Sequence, residues 1–93
     1  MSAVLFPLGR LVATPGALTL LTNTDENPAA LLDRHQIGDW GDAPPVDARE
    51  NDLSIREGFR IVSSYPVGDD GAKVWIITEA DRSSTCILLP EEY

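Results

Sequence analysis

Apolar residues recur at two different spacings along this chain, and the change of spacing divides it. The first half carries them at helical intervals. Thr14-Pro15 reads as an N-cap followed by proline at the first helical position, and the helix runs on through Ala17-Leu18-Thr19-Leu20-Leu21. Asn27-Pro28 repeats the signal ahead of Ala29-Ala30-Leu31-Leu32-Asp33-Arg34-His35, with Gly38 as the stop. Residues 38 to 47 hold turn formers and the pair Pro44-Pro45, which predicts a loop. Asp47 and Glu50 match an Asp-led capping box for a helix over Ala48 to Glu57, closed by Gly58.

The final third alternates. Phe59, Ile61, Ser63 and Tyr65 interleave with Arg60, Val62 and Ser64, a period of two. Gly68-Asp69-Asp70-Gly71 and Asp81-Arg82-Ser83-Ser84 are turns on either side of a central run, Lys73 to Glu79, and Thr85 to Leu89 is a third strand stopped by Pro90. Residues 9 to 13 are a candidate fourth strand. The fold expected is therefore α+β, one domain over 1–93. N-terminal helices pack on a C-terminal antiparallel sheet of three to four strands, because a small sheet alone is not stable. The central strand is apolar on both faces, so both should be covered, one by the helices and one by Trp40 or the N-terminal segment.

Composition narrows the function classes. The 93 residues hold fifteen acids and seven Lys+Arg, a net charge of −8, with 43% apolar residues. That apolar content is too high for a disordered acidic tail. The carboxylate surplus disfavours direct nucleic-acid binding, which runs on Lys and Arg displacing counterions, and favours a protein partner with a basic surface. No apolar stretch approaches the ~20 residues of a spanning helix. The start of the chain lacks the basic, apolar make-up of a signal peptide. The single cysteine, Cys86, excludes an intrachain disulfide and a multi-cysteine zinc site, and it reads as a buried, inert thiol suited to a reducing cytoplasm. No cofactor is called for.

Three constellations carry candidate chemistry. Residues 39 to 57 gather six acids, Asp39, Asp42, Asp47, Glu50, Asp52 and Glu57, against Arg49 and Arg56. With Trp40 as an anchor, they suggest a partner-binding surface that imitates nucleic-acid phosphates. Duplex DNA holds on the order of 18 charges in ~30 Å of axis, so mimicry requires these carboxylates to share one face. Their alternative is a solvated acidic face. His35, the only histidine, could act as a general base oriented by Asp39 or Asp42, with Arg82 as an anion clamp. Its alternative is a helix C-terminal cap, and that of Arg82 an ion pair with Glu79 or Asp81. His35, Asp39 and Asp42 fit neither zinc nor calcium preferences, so no metal is expected. Thr14-Pro15-Gly16 is an N-cap and not a phosphate cradle.

Several stretches also resemble a family of short bacterial proteins carried on plasmids and integrated mobile elements. They are Leu8 to Leu18, Arg34-His35 with Gly38-Asp39-Trp40-Gly41-Asp42, Glu50-Asn51, Glu57-Gly58-Phe59-Arg60 and Ser64-Tyr65. Trp75 to Ser83 and Leu88 to Tyr93 complete the match. Asn23 to Asn27 and Pro44-Pro45 depart from the pattern. The resemblance implies a mobile-element setting and carries no activity. By analogy with small acidic proteins of such elements, the expected function is inhibition, without catalysis, of a host defence complex that processes nucleic acid, of CRISPR or restriction type. The alternatives are a small hydrolase or toxin-like nuclease using His35, Asp39 and Arg82, and a structural accessory domain. A homodimer through a sheet edge is retained among the partners.

Overall fold

The computed structural model describes residues 4–93, so Met1 to Ala3 of the N-terminal segment lie outside the described residues. Four strands and three α-helices follow in the order β1 (Arg10–Ala13), α1 (Pro15–Asn23), α2 (Pro28–Gln36), α3 (Pro45–Glu57), β2 (Ile61–Pro66), β3 (Lys73–Thr78) and β4 (Ser84–Leu88), with a closing 3₁₀ turn at Pro90–Glu92. The architecture is the expected α+β arrangement. The sheet order is β1-β4-β3-β2. β2, β3 and β4 form the antiparallel meander, and β1 joins β4 in parallel, so the sheet is mixed. A parallel pair needs a long crossover, and everything from α1 to β3 supplies it.

Proline and capping chemistry start the helices. Thr14 accepts from the Ala17 N–H and Asn27 from the Ala29 N–H, each followed by proline at the first helical position. The third helix departs from expectation. It begins three residues early, at Pro45, with Pro44 at the N-cap and no side-chain cap. A second proline suits the first helical position better than Asp47 suits the cap, and Asp47 sits instead in the first turn, where its charge complements the helix dipole. Gly58 ends it in the left-handed conformation, φ 78°.

One face of the sheet is covered. Ala17 and Leu21 of α1 and Leu31 of α2 pack on Tyr65, Val74, Ile76 and Ile87. A second cluster, Phe6, Trp40 and Ile61, continues the same layer toward α3, joined by Ala48 and Ile55. Trp40 therefore packs on the helix-covered side. The other face of the central strand is not roofed by Trp40, contrary to expectation, and its Trp75 and Ile77 are the floor of an open groove.

The β2 edge is closed by groups that stand in for a fifth strand. Asn51 of α3 accepts from the Val62 N–H at 3.0 Å and donates to the Val62 carbonyl at 2.7 Å. Two residues on, the Ser64 N–H donates to the Trp40 carbonyl and its carbonyl accepts from the Asp42 N–H. Gly41 permits this approach, because its φ is 71° and a Cβ there would overlap the Ser64 carbonyl. Pro66, next in the outward-facing set, has no N–H to satisfy. Asn51→Ala should cost about 2–3 kcal/mol in chemical denaturation, since it strands a backbone donor and acceptor at a nearly buried position. Asn51→Asp should recover little of this, because a carboxylate oxygen would face the Val62 carbonyl. A cost near zero for Asn51→Ala would mean the edge closes without it.

Candidate functional site

Alternation along the strands decides what the uncovered face displays. With Tyr65, Val74, Ile76 and Ile87 turned to the helices, the neighbours Val62, Ser64, Trp75, Ile77, Cys86 and Leu88 point the other way. The groove there has a volume of about 640 Å³ and runs between this face, the flank of α3 and the C-terminal turn. Val62, Trp75 and Ile77 form its floor, and Asp47, Glu50 and Asn51, at helical spacing on α3, form a wall. Across from them Tyr93 meets Trp75 edge-on, ring centroids 5.6 Å apart, and the Arg60 guanidinium lies 5.3 Å over the Tyr93 ring.

The acidic stretch that seemed continuous in sequence is divided by the fold. Asp39 is paired with Arg34 at 2.6 Å, which holds its carboxyl below the usual range, and it also accepts from the Gly41 N–H. Asp42, at the groove rim, is paired with Lys73 at 3.1 Å, and the Ser64 hydroxyl foremost, with Lys73, lowers its pKa. Asp52 accepts from the Trp40 indole N–H at 3.1 Å. Trp40 is only 7% exposed, so it is an interior residue and not a surface anchor. Glu57 is exposed in the last turn of α3. Of the seven expected contact residues, Asp42, Asp47 and Glu50 line the groove. Sequence reasoning missed Trp75, Tyr93, Val62, Ile77 and Arg60. Their common signal was the doubly apolar central strand, which left one face to be accounted for.

The catalytic alternative meets a closed interior. His35 is fully buried, and its Nδ1 and Nε2 lie 2.5 Å from Ser63 Oγ and 2.9 Å from Thr78 Oγ1. Thr78 Oγ1 is 2.8 Å from Thr85 Oγ1, which is 2.7 Å from the Leu8 carbonyl. The carbonyl can only accept, and this fixes the protons from Thr85 back to the His35 Nε2–H. Thr85 donates to Leu8, so it accepts from Thr78, which accepts from the His35 Nε2–H. In the neutral ring Nδ1 accepts from the Ser63 hydroxyl. The ring is neutral, and burial, with Arg82 second, pushes its pKa down to about 4. Asp39 orients Arg34 rather than His35, and Ser63 is itself buried. Arg82 gives its guanidinium to the carbonyls of Ser54, Phe59, Glu79 and Ala80, so it ties the end of α3 to the β3–β4 turn instead of clamping an anion or pairing with a carboxylate. Cys86 is half-buried on the groove side of the sheet, and burial first, with Glu92 and Glu79, raises its thiol pKa, so it is a poor nucleophile. Among the described residues no group of three or more His, Cys, Asp or Glu could hold a metal ion, and no helix is long and apolar enough to cross a membrane.

Compared with protein-family models, curated proteins and solved structures, the chain matches none.

The buried imidazole makes stability depend on pH with a definite sign. Its pKa is about 4 folded and about 6.5 unfolded, so between these values the unfolded chain binds more protons. Stability due to His35 is full above about pH 6.5 and falls as pH drops toward 4, by about 3 kcal/mol in all. His35→Gln should flatten the dependence of unfolding free energy on pH across that window by close to one proton. An unchanged slope in the variant would assign the acid sensitivity to other groups.

Proposed function

We propose that the protein is a non-enzymatic acidic binding protein whose groove seats a basic surface of a protein partner. The observation that carries this reading is the wall of Asp47 and Glu50 over an aromatic floor. Neither carboxylate belongs to a salt bridge among the described residues; those bridges are Arg34–Asp39 and Lys73–Asp42. Beside them stand Trp75, half-buried, and Tyr93, 63% exposed, the residue types that concentrate binding energy when a partner seals them from water. A cationic side chain with an apolar neighbour answers both features. The net charge of −8 adds long-range attraction, which speeds encounter with a basic cleft and makes it sensitive to salt.

Clefts of that chemistry hold nucleic acid in defence complexes of CRISPR or restriction type. A protein seated in one would exclude the nucleic acid, which makes inhibition the consequence of binding. Because Asp39, Asp42 and Asp52 already have partners in Arg34, Lys73 and the Trp40 indole, the contact is a local docking through α3 and the groove. It does not require the charge density of a duplex. A mobile-element setting accords with such a role.

The test uses a Lys- and Arg-rich peptide with a central leucine as probe, and Trp75 fluorescence as readout. Asp47→Asn/Glu50→Gln should weaken binding about tenfold at low ionic strength, the loss of two exposed charge pairs, and the difference should shrink as salt is added. The intact protein should also displace duplex DNA from a basic DNA-binding protein, and the double variant should do so less well. Equal binding by the two forms, or a Trp75 signal that the probe does not move, would refute the reading.

A further inference from the structure

The two edges of the sheet are finished in different ways. The β2 edge is closed by Asn51, by residues 40 to 42 and by Pro66. Among the described residues the β1 edge carries nothing comparable. The Arg10 N–H donates to Ser83 and the Thr14 N–H to Ile87, so the even-numbered residues of β1 face β4 and the backbone groups of Leu11 and Ala13 point outward. No described residue bonds to those outward groups, and Leu11 and Val12 are 54% and 42% exposed. An edge with free donors, free acceptors and exposed apolar side chains is a template for another strand.

We propose that a second copy of this chain pairs along β1, antiparallel, about a two-fold axis at Val12. The occupant follows from self-complementarity. In this register Leu11 of each copy forms a hydrogen-bonded pair with Ala13 of the other, which uses every outward backbone group of β1. Val12 meets Val12 of the second copy on the groove side of the sheet, beside Cys86, its partner on β4. Arg10 faces Thr14 of the second copy. The Thr14 hydroxyl donates to Glu92 at 2.5 Å, so a carboxylate already waits where the guanidinium arrives. Two-fold symmetry makes this ion pair twice. The neighbouring registers fail on the same edge. Centring on Ala13 sets Leu11 against Pro15, which has no N–H, and centring on Leu11 sets Ala13 against Gly9, whose φ of 66° lies outside the strand region. The pairing would merge two four-stranded sheets into one, with both grooves on one face.

The full chain tests this in solution. Sedimentation from micromolar to near-millimolar concentration should show a monomer–dimer equilibrium. Arg10→Glu should weaken it about tenfold, since two rim attractions become repulsions, and Arg10→Glu/Glu92→Arg should restore it. In a Cys86→Ala background, which removes the neighbouring thiol, Val12→Cys should form an intermolecular disulfide under mild oxidation, while Leu18→Cys, exposed on α1, should not. A monomer at every concentration overturns the proposal. So does a dimer that neither cross-links through Val12→Cys nor responds to the charge exchange.

Discussion

The neutral imidazole of His35 is the constraint around which this small domain is organised. An unpaired polar ring in the interior would cost several kcal/mol, so both its nitrogens must find partners, and they find them on different elements. Ser63 belongs to β2, Thr78 to β3 and Thr85 to β4, and the chain ends on the Leu8 carbonyl just ahead of β1. A single file of hydrogen bonds thus pins α2 to three strands and to the N-terminal segment. Phe6 and Trp40 meet the same ring edge to face, at centroid distances of 5.2 and 5.9 Å, and seal it from water. Among the described residues no buried side-chain nitrogen or oxygen is left without a partner. In a core this short of apolar mass, such a directional network specifies one register where greasy packing alone would tolerate several.

That register in turn decides which sheet face is free. Ser63 and Thr78 must point to His35, so Val62, Ser64 and Ile77 must point away. Once Asn51 and residues 40 to 42 have bound the β2 edge, α3 stands beside the sheet and not beneath it. Its Asp47 and Glu50 then border Trp75. The groove is the remainder left by closing one face and one edge, and its charge comes from a helix whose apolar side is too narrow to cover a whole sheet. Ala48, Asn51, Ser54 and Ile55 are the residues α3 can bury, and two of those four are polar.

Much of this was legible in the sequence because local chemistry wrote it. Thr14-Pro15, Asn27-Pro28 and Gly58 fix helix ends through bonds among neighbours, and period-two alternation locates the strands of the meander. The misreadings share one cause, which is that they concern partners far apart in the chain. Nothing near residue 10 says that β1 pairs in parallel with a strand more than seventy residues on. Nothing near Trp40 says that its indole turns inward to Asp52. The cluster from Arg34 to Asp42 is dense in sequence, but proximity in sequence is not convergence in space. The fold instead sends His35 to one layer, Asp39 back to Arg34 and Asp42 out to Lys73.

The same separation explains why a buried His–Ser contact here is structural. A nucleophile needs a base whose pKa lies near the working pH and a path for substrate to reach it. His35 fails the first condition through burial, which holds it near 4, and Ser63 fails the second. Their contact is nonetheless strong evidence about the rest of the molecule. A titratable interior group committed to neutrality leaves the excess charge of −8 wholly at the surface. There Asp39 and Asp42 are paired with Arg34 and Lys73, while Asp47 and Glu50 belong to no salt bridge among the described residues. Interior and exterior thus hold opposite kinds of polar group, a closed hydroxyl relay within and open carboxylates without. Of these two sets, solvent reaches the outer one.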